Sequence, residues 1–196
     1  YFLDTVLKTE LDCIYHEHLR FYTLRPFIRL MERHGLSVVD AQRISAAGGS
    51  LRVFVKKGRH PLSPRAKHIL AFEKKSGLYD ITTLRQFGER ARKAKRDLLD
   101  LLTDCKSKGT IAGLGSPARS NTLLGYAHID TSLLDYTCEK SGSPKIGLYT
   151  PGTHIPVVDE KRLLTHQPPF LLILSWHIGE ELMNLLRRKG YRGTFI

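Results

Sequence analysis

Apolar positions along this chain change their period twice, and each change marks a different kind of structure. Tyr1, Phe2, Leu3, Val6 and Leu7 open the sequence with the spacing of one helical face. Asp12 to Tyr15 reads as a short strand, and Arg25 to His34 as a helix that stops at Gly35, where glycine takes a left-handed C-cap conformation at little cost. In Ser50 to Lys56, Leu51, Val53 and Val55 then alternate with Arg52, Phe54 and Lys56. With Leu36 to Ile44 before it and a glycine-rich connection over Ser45 to Gly49, this segment predicts an antiparallel hairpin. Gly58 to Pro64 is a linker candidate.

Beyond Pro64 the period becomes helical, over Pro64 to Lys75 and again over Ile81 to Lys108. Leu84, Phe87, Ala91, Ala94, Leu98, Leu101 and Cys105 recur at alternating spacings of three and four, which predicts one buried stripe. The remainder alternates strand and helix. Strands are expected over Thr110 to Leu114, Leu133 to Cys138, Ile155 to Val157, Phe170 to Leu174 and Gly193 to Ile196. Helices are expected over Pro117 to Ala127, Glu160 to Leu164 and Ile178 to Lys189. Ile111 to Leu114 and Phe170 to Leu174 are continuously apolar, as strands are when helices cover both faces of a parallel sheet. An α/β chain ending in a small doubly wound domain follows, with ligands expected at the carboxyl ends of its strands.

Composition narrows the function classes. Hydrophobic residues make up 41% of the 196 and charged residues 26%, ordinary globular usage with no polar tract that argues for disorder. The longest apolar run, Phe170 to Trp176, falls far short of the roughly 20 residues a bilayer demands, and the N-terminus has no apolar signal core; a soluble, cytoplasmic protein is expected, with no membrane partner. Lys and Arg outnumber Asp and Glu 31 to 19, a net charge of +12. Such a balance suits nucleic acid, anionic membrane or phosphorylated small molecules, and only the last fits the motifs. The basic run Arg85, Arg90, Arg92, Lys93, Lys95 and Arg96 is read as the solvated face opposite the stripe. Cys13, Cys105 and Cys138 are widely separated, so neither a disulfide framework nor a zinc knuckle is expected.

The densest chemistry lies at Tyr15-His16-Glu17-His18. On an extended strand His16 and His18 share a side and can share a metal, but a third ligand at a recognisable spacing is missing, and no metal is expected. One of the two imidazoles can instead exchange a proton near neutral pH, with Glu17 and Tyr15 fixing its tautomer and a substrate oxygen. The plain alternative is a pair of structural histidines. Gly113-x-Gly115-Ser-Pro-Ala-Arg-Ser-Asn121 follows an apolar strand and opens a helix; its amides, with Ser116, Arg119 and Asn121, can receive a diphosphate, or it is only a tight turn. The third glycine of the dinucleotide fingerprint is absent, so no dinucleotide is expected. Lys145, Tyr149, Thr153 and His154 lie in a Gly/Pro-rich loop, either a binding segment or a connection stiffened by Pro151 and Pro156.

Several of these segments together resemble one family. Tyr15-His16-Glu17-His18-Leu19, Phe21-Tyr22-Thr23-Leu24, Glu32-Arg33-His34-Gly35-Leu36, Gly48-Gly49-Ser50-Leu51-Arg52-Val53, Gly113 to Leu124, Asp135-Tyr136, Lys145-Ile146-Gly147, Tyr149 to Pro156 and Leu174-Ser175-Trp176 resemble, in order, the sugar C-methyltransferases that use S-adenosylmethionine. The resemblance implies that residues 1–58 are the last strands of a Rossmann-like methyltransferase sheet, that 59–108 are linking helices, and that 109–196 are a second Rossmann-like domain binding a nucleoside-diphosphate sugar. It implies that the loop holding the methyl donor lies upstream of Tyr1, leaving this segment inactive alone. It assigns His18 as the base that forms an enolate of a keto-sugar, with Tyr15 and Glu17 orienting the sugar and His16 as runner-up. It also draws Gly115, Ser116, Arg119, Asn121, Lys145, Tyr149, Thr153 and His154 towards the sugar nucleotide. Glu139 stands where the family usually has Asp, His177 where Asn is usual, and Ser120 where glycine is common. The rival readings are a non-catalytic sugar-nucleotide module and a basic nucleic-acid binder; no nucleic-acid partner is expected.

Overall fold

A computed structural model describes residues 1–196, the side chain of Ala47 excepted. It divides into two compact units, Tyr1–Ala91 and Arg92–Ile196. No helix among the described residues is long and apolar enough to cross a membrane.

The first unit contains α1 (Phe2–Lys8), α2 (Leu24–Arg33), the strands β1 (Leu36–Ile44) and β2 (Ser50–Lys57), and α3 (Pro64–Lys75). β1 and β2 form the expected antiparallel hairpin, pairing from Leu36 opposite Lys57 to Ile44 opposite Ser50, with an irregularity between Val38 and Asp40. Val38 and Ala41 of β1 are buried with Leu24, Ala66 and Ile69, so α2 and α3 close over the hairpin. The irregularity leaves Asp40 at the start of α3, where it accepts a hydrogen bond from the Ser63 hydroxyl at 2.5 Å and pairs with Arg65. Ser63 is a true N-cap: its oxygen accepts the Ala66 N–H at 3.1 Å, and Pro64 follows as the first helical residue. At the hairpin turn, Gly49 has φ +148, and a Cβ there would stand 2.6 Å from the Asp4 carboxyl carbon. Only glycine leaves room for Asp4, whose carboxylate takes a hydrogen bond from Arg43 at 2.6 Å.

Glu73 of α3 is fully buried. One of its oxygens accepts the Tyr1 hydroxyl at 2.7 Å and the Leu24 N–H at 2.6 Å, and the other accepts the Tyr79 hydroxyl. Burial and the neighbouring Glu73 carboxylate push both phenols above their ordinary pKa, so they remain donors. The Leu24 N–H belongs to the first turn of α2 and has no partner within its own helix; Glu73 supplies the cap that Thr23 does not.

The strand expected over Asp12 to Tyr15 is not formed. Leu11–Cys13 is a single 3-10 turn, with the Cys13 N–H donating to Glu10 and the Ile14 N–H to Leu11. An apolar run of three residues, Cys13 to Tyr15, suits a turn as well as a strand.

α4 (Ile81–Lys108) starts in the first unit and ends in the second. The second unit continues with β3 (Ile111–Leu114), α5 (Ala118–Ala127), β4 (Tyr136–Glu139), β5 (Val157–Asp159), α6 (Lys161–His166), β6 (Phe170–Ile173), α7 (Gly179–Arg188) and β7 (Thr194–Phe195). All five strands are parallel, in the order β5-β4-β3-β6-β7. The order reverses between β3 and β6, as in a doubly wound sheet. One face buries Ile111, Leu172 and Leu174 against Leu102 and Cys105 of α4 and Leu124 of α5. The other buries Ala112, Leu114 and Leu171 against Leu163 of α6 and Leu186 of α7.

The stripe of α4 departs from its prediction at two positions, Ala94, which is exposed, and Leu101. Leu84 and Phe87 pack in the first unit with Leu3, Val6 and Leu78, and Leu98, Leu102 and Cys105 in the second. Leu101, predicted in the stripe, is 44% exposed, whereas Leu102 is fully buried. Leu98, Leu102 and Cys105 also satisfy helical spacing, because 3.6 residues per turn lets either leucine continue from Leu98. Leu102→Ala should therefore lower stability in urea by about 2–4 kcal/mol, and Leu101→Ala by less than about 0.5 kcal/mol.

Candidate active site

Tyr15 to Tyr22 forms an irregular strap between the 3-10 turn and α2, held at its far end by the Phe2 N–H, which donates to the Tyr22 carbonyl at 3.1 Å. The His18 N–H donates back to the Tyr15 carbonyl at 2.9 Å, which folds the two side chains onto each other. Their ring centroids lie 4.1 Å apart, inclined by 38°. His18 Nδ1 is 2.8 Å from the Cys13 carbonyl oxygen, and His18 Nε2 is 3.0 Å from the Tyr15 hydroxyl. A carbonyl only accepts, so Nδ1 carries the proton and Nε2 of the neutral ring carries the lone pair, receiving the Tyr15 O–H. His18 is exposed and also lines a cavity of about 220 Å³ with Cys13, Phe21, Tyr22, Glu10 and Gly49 among its walls.

The structure thus joins Tyr15 and His18 and leaves Glu17 out. The Glu17 carboxylate lies 3.9 Å from His16 Nε2, both side chains being mostly exposed. The tautomer of His18 is fixed by the Cys13 backbone, in place of the expected Glu17. Among the described residues no group of three or more His, Cys, Asp or Glu is placed to hold a metal ion.

The second unit carries a cleft of about 410 Å³ at the carboxyl ends of β3, β4 and β6, where a doubly wound sheet places its ligands. Gly115 turns the chain out of β3 with φ +83, and a Cβ there would meet the Ser175 hydroxyl at 2.7 Å. The next amide, that of Ser116, does not face the cleft free: it donates to the Glu139 carboxylate at 2.7 Å. Lys145 reaches the same place, giving one hydrogen bond to the Ser116 carbonyl at 2.6 Å and approaching Glu139 Oε1 at 3.4 Å. Lys140, Glu160 and Lys189 complete its charged wall, the last two paired at 2.9 Å. Cys138 also lines it, its thiol pushed up to about 12 by burial.

Of the residues expected around a sugar nucleotide, Gly115 and Lys145 line this cleft, and Ser116 lies at its edge. Arg119 is buried and sets its guanidinium 4.8 Å above the Trp176 ring, a cation–π arrangement. Asn121 Oδ1 is buried without a hydrogen-bond partner. The loop from Lys145 is held internally: Thr150 and Thr153 share a hydrogen bond of 2.6 Å, Thr150 accepts the Ile155 N–H, and His154 takes φ 53. Tyr149 is 64% exposed and His154 exposed, and neither lines the cleft. Glu139 was visible in the sequence only as a departure. Its signal was position, an acid 23 residues beyond Ser116 at the end of the sheet's second strand.

The parallel second unit, with its glycine turn after the first strand, is of the kind found at the carboxyl end of methyltransferases. Residues 45–196 match the C-methyltransferase C-terminal domain, and the chain belongs to that family. It is 28% identical over 187 residues to the C-methyltransferase NovU of Streptomyces niveus, an alignment covering 94% of this chain and 44% of that protein. The chain therefore spans less than half the length of this relative.

Two measurements check the site. Long-range nitrogen–proton NMR should find the neutral His18 protonated at Nδ1, and should find the same tautomer in Tyr15→Phe, because the Cys13 carbonyl is untouched. Cys138 should alkylate with iodoacetamide at pH 8 more than about a hundredfold slower than free cysteine, since a thiol titrating near 12 supplies almost no thiolate there.

Proposed function

We propose that this chain is the substrate-side part of an S-adenosylmethionine-dependent enzyme that methylates a carbon of a nucleoside-diphosphate-linked deoxy-keto sugar, with His18 as the base. The observation that carries this reading is the hydrogen bond from His18 Nδ1–H to the Cys13 carbonyl. It leaves Nε2 as the lone basic nitrogen, directed at the Tyr15 hydroxyl in an exposed position. The family match supports methyl transfer to carbon.

A carbon beside a ketone becomes nucleophilic only after losing a proton, and a neutral imidazole is suited to take it near pH 7. In this mechanism His18 Nε2 accepts that proton. The resulting imidazolium is stabilised at Nδ1 by the Cys13 carbonyl, a partner that needs no rearrangement as charge develops. Tyr15, released from Nε2 by the arriving substrate, turns its hydroxyl to the enolate oxygen. Glu17 and His16 lie on the same strap and contribute to seating the sugar. In the second unit, Lys145 and Lys140 supply positive charge for the diphosphate. Gly115 lies in the wall of that unit's cleft and Ser116 at its edge, whereas Arg119, Asn121, Tyr149, Thr153 and His154 lie outside its lining. The cleft lined by Lys140, Lys145 and Lys189 does not suit S-adenosylmethionine, whose sulfonium is itself a cation, and the methyl donor is assigned no place there.

The test uses the complete enzyme that contains this segment. His18→Gln should abolish exchange of the keto-sugar's α-proton with deuterated solvent, followed by NMR without methyl donor. Tyr15→Phe should slow exchange by about 10- to 100-fold. Wild-type exchange in His18→Gln would refute the assignment of the base.

A further inference from the structure

We propose that Glu139 is the pentose reader of the second unit's cleft: its carboxylate accepts hydroxyl groups of the nucleoside sugar, and the glycine turn after β3 is not the seat of the diphosphate. The inference deepens the nucleoside-diphosphate reading above and rests on it.

The argument begins with the amide of Ser116. A glycine turn opening a helix receives phosphate through free N–H groups, but here the first N–H beyond Gly115 is already donated to Glu139 at 2.7 Å. A phosphate at this point would have to displace a carboxylate or stand beside it, and like charges at hydrogen-bond distance repel. Glu139 is also held in place, since Lys145 bonds to the Ser116 carbonyl and approaches the same carboxylate oxygen at 3.4 Å. These contacts engage Oε1 and leave Oε2 without a hydrogen bond from the described residues, on a side chain 18% exposed that lines the cleft. An oriented carboxylate oxygen with spare lone pairs binds hydroxyl donors, and the end of the second strand of a doubly wound sheet is where such an acid meets a nucleoside pentose. Lys140 and Lys189 extend the same wall, so a nucleotide whose pentose lies on Glu139 has cations within its own cleft for the diphosphate.

Binding of nucleoside diphosphates to the chain, followed by isothermal calorimetry, tests this. The common uridine, thymidine, cytidine, adenosine and guanosine diphosphates are measured first, and then the analogue of the tightest one lacking its pentose hydroxyls. The deoxygenated analogue should bind at least about tenfold more weakly, as the loss of hydrogen bonds to a charged acceptor implies. Glu139→Gln, which keeps an oxygen for the Ser116 N–H, should weaken the parent nucleotide by a similar factor and shrink the difference between the two ligands. Inorganic pyrophosphate should bind wild type and variant alike. Equal affinity for the parent and deoxygenated nucleotides in the wild-type chain overturns the proposal even if the variant does not fold. Tighter binding of pyrophosphate or nucleotide by Glu139→Gln also overturns it, because removing a repelled carboxylate has that sign. S-adenosylhomocysteine carries a pentose without phosphate and should not compete with the nucleotide; competition at equal concentration would give the cleft to the methyl donor. If no nucleoside diphosphate binds, the nucleotide reading of the cleft fails first, and this inference with it.

Discussion

The first unit is organised around a carboxylate that has no access to water. Glu73 is fully buried, and the cost of burying its oxygens is offset only because the Tyr1 hydroxyl, the Tyr79 hydroxyl and the Leu24 N–H all donate to them. Those donors come from the start of the chain, from the segment after α3 and from the first turn of α2. One side chain therefore fixes where α2 begins, and with it the end of the strap that carries His18. The other end of the strap is fixed by the Leu11–Cys13 turn. Between these anchors the backbone has few ways to run, which is why an exposed histidine keeps two defined hydrogen bonds.

That strap also explains which parts of the site were legible in sequence. The cluster Tyr15 to His18 announced itself by composition, but its geometry depended on whether the chain is extended or turned. In a strand, His16 and His18 would share a side and Glu17 would face the other way. In the turn, residue 18 comes back over residue 15, so Tyr15 meets His18 while His16 and Glu17 face each other outside. The deciding contact, a backbone carbonyl of Cys13, belongs to no motif, because every residue has such a carbonyl and only the fold selects one.

The larger architecture was easier to read for a physical reason. The hairpin and the longer helices each repeat one period over enough residues that tertiary context has little to override, the parallel strands stand out as short continuous apolar runs, and the hairpin of β1 and β2 appears where alternation placed it. Strand ends were less legible. Pro156 has no N–H to give to a ladder, so β5 starts at Val157, one residue beyond it, and Pro156 contributes only its carbonyl to Thr137. The misassigned leucine of α4 is a related case. Leu101 and Leu102 both suit the helix, and the choice between them lies in the core of the second unit, which involves residues as distant as Leu172 and Leu174.

The two candidate sites use the same device in opposite senses. At His18 a backbone acceptor holds one nitrogen so that the other is left basic. At Gly115 a side-chain acceptor holds a backbone donor, so that a turn of phosphate-binding type presents a carboxylate. In both, what can bind is decided by which hydrogen-bonding group has already been consumed inside the protein, and only the remainder faces the ligand. A sequence lists donors and acceptors without saying which are spent. This is why the neighbours alone left His16 and His18 as alternatives, with His18 singled out by family resemblance, whereas the part proposed for Glu139 rests on the Ser116 N–H that points at it.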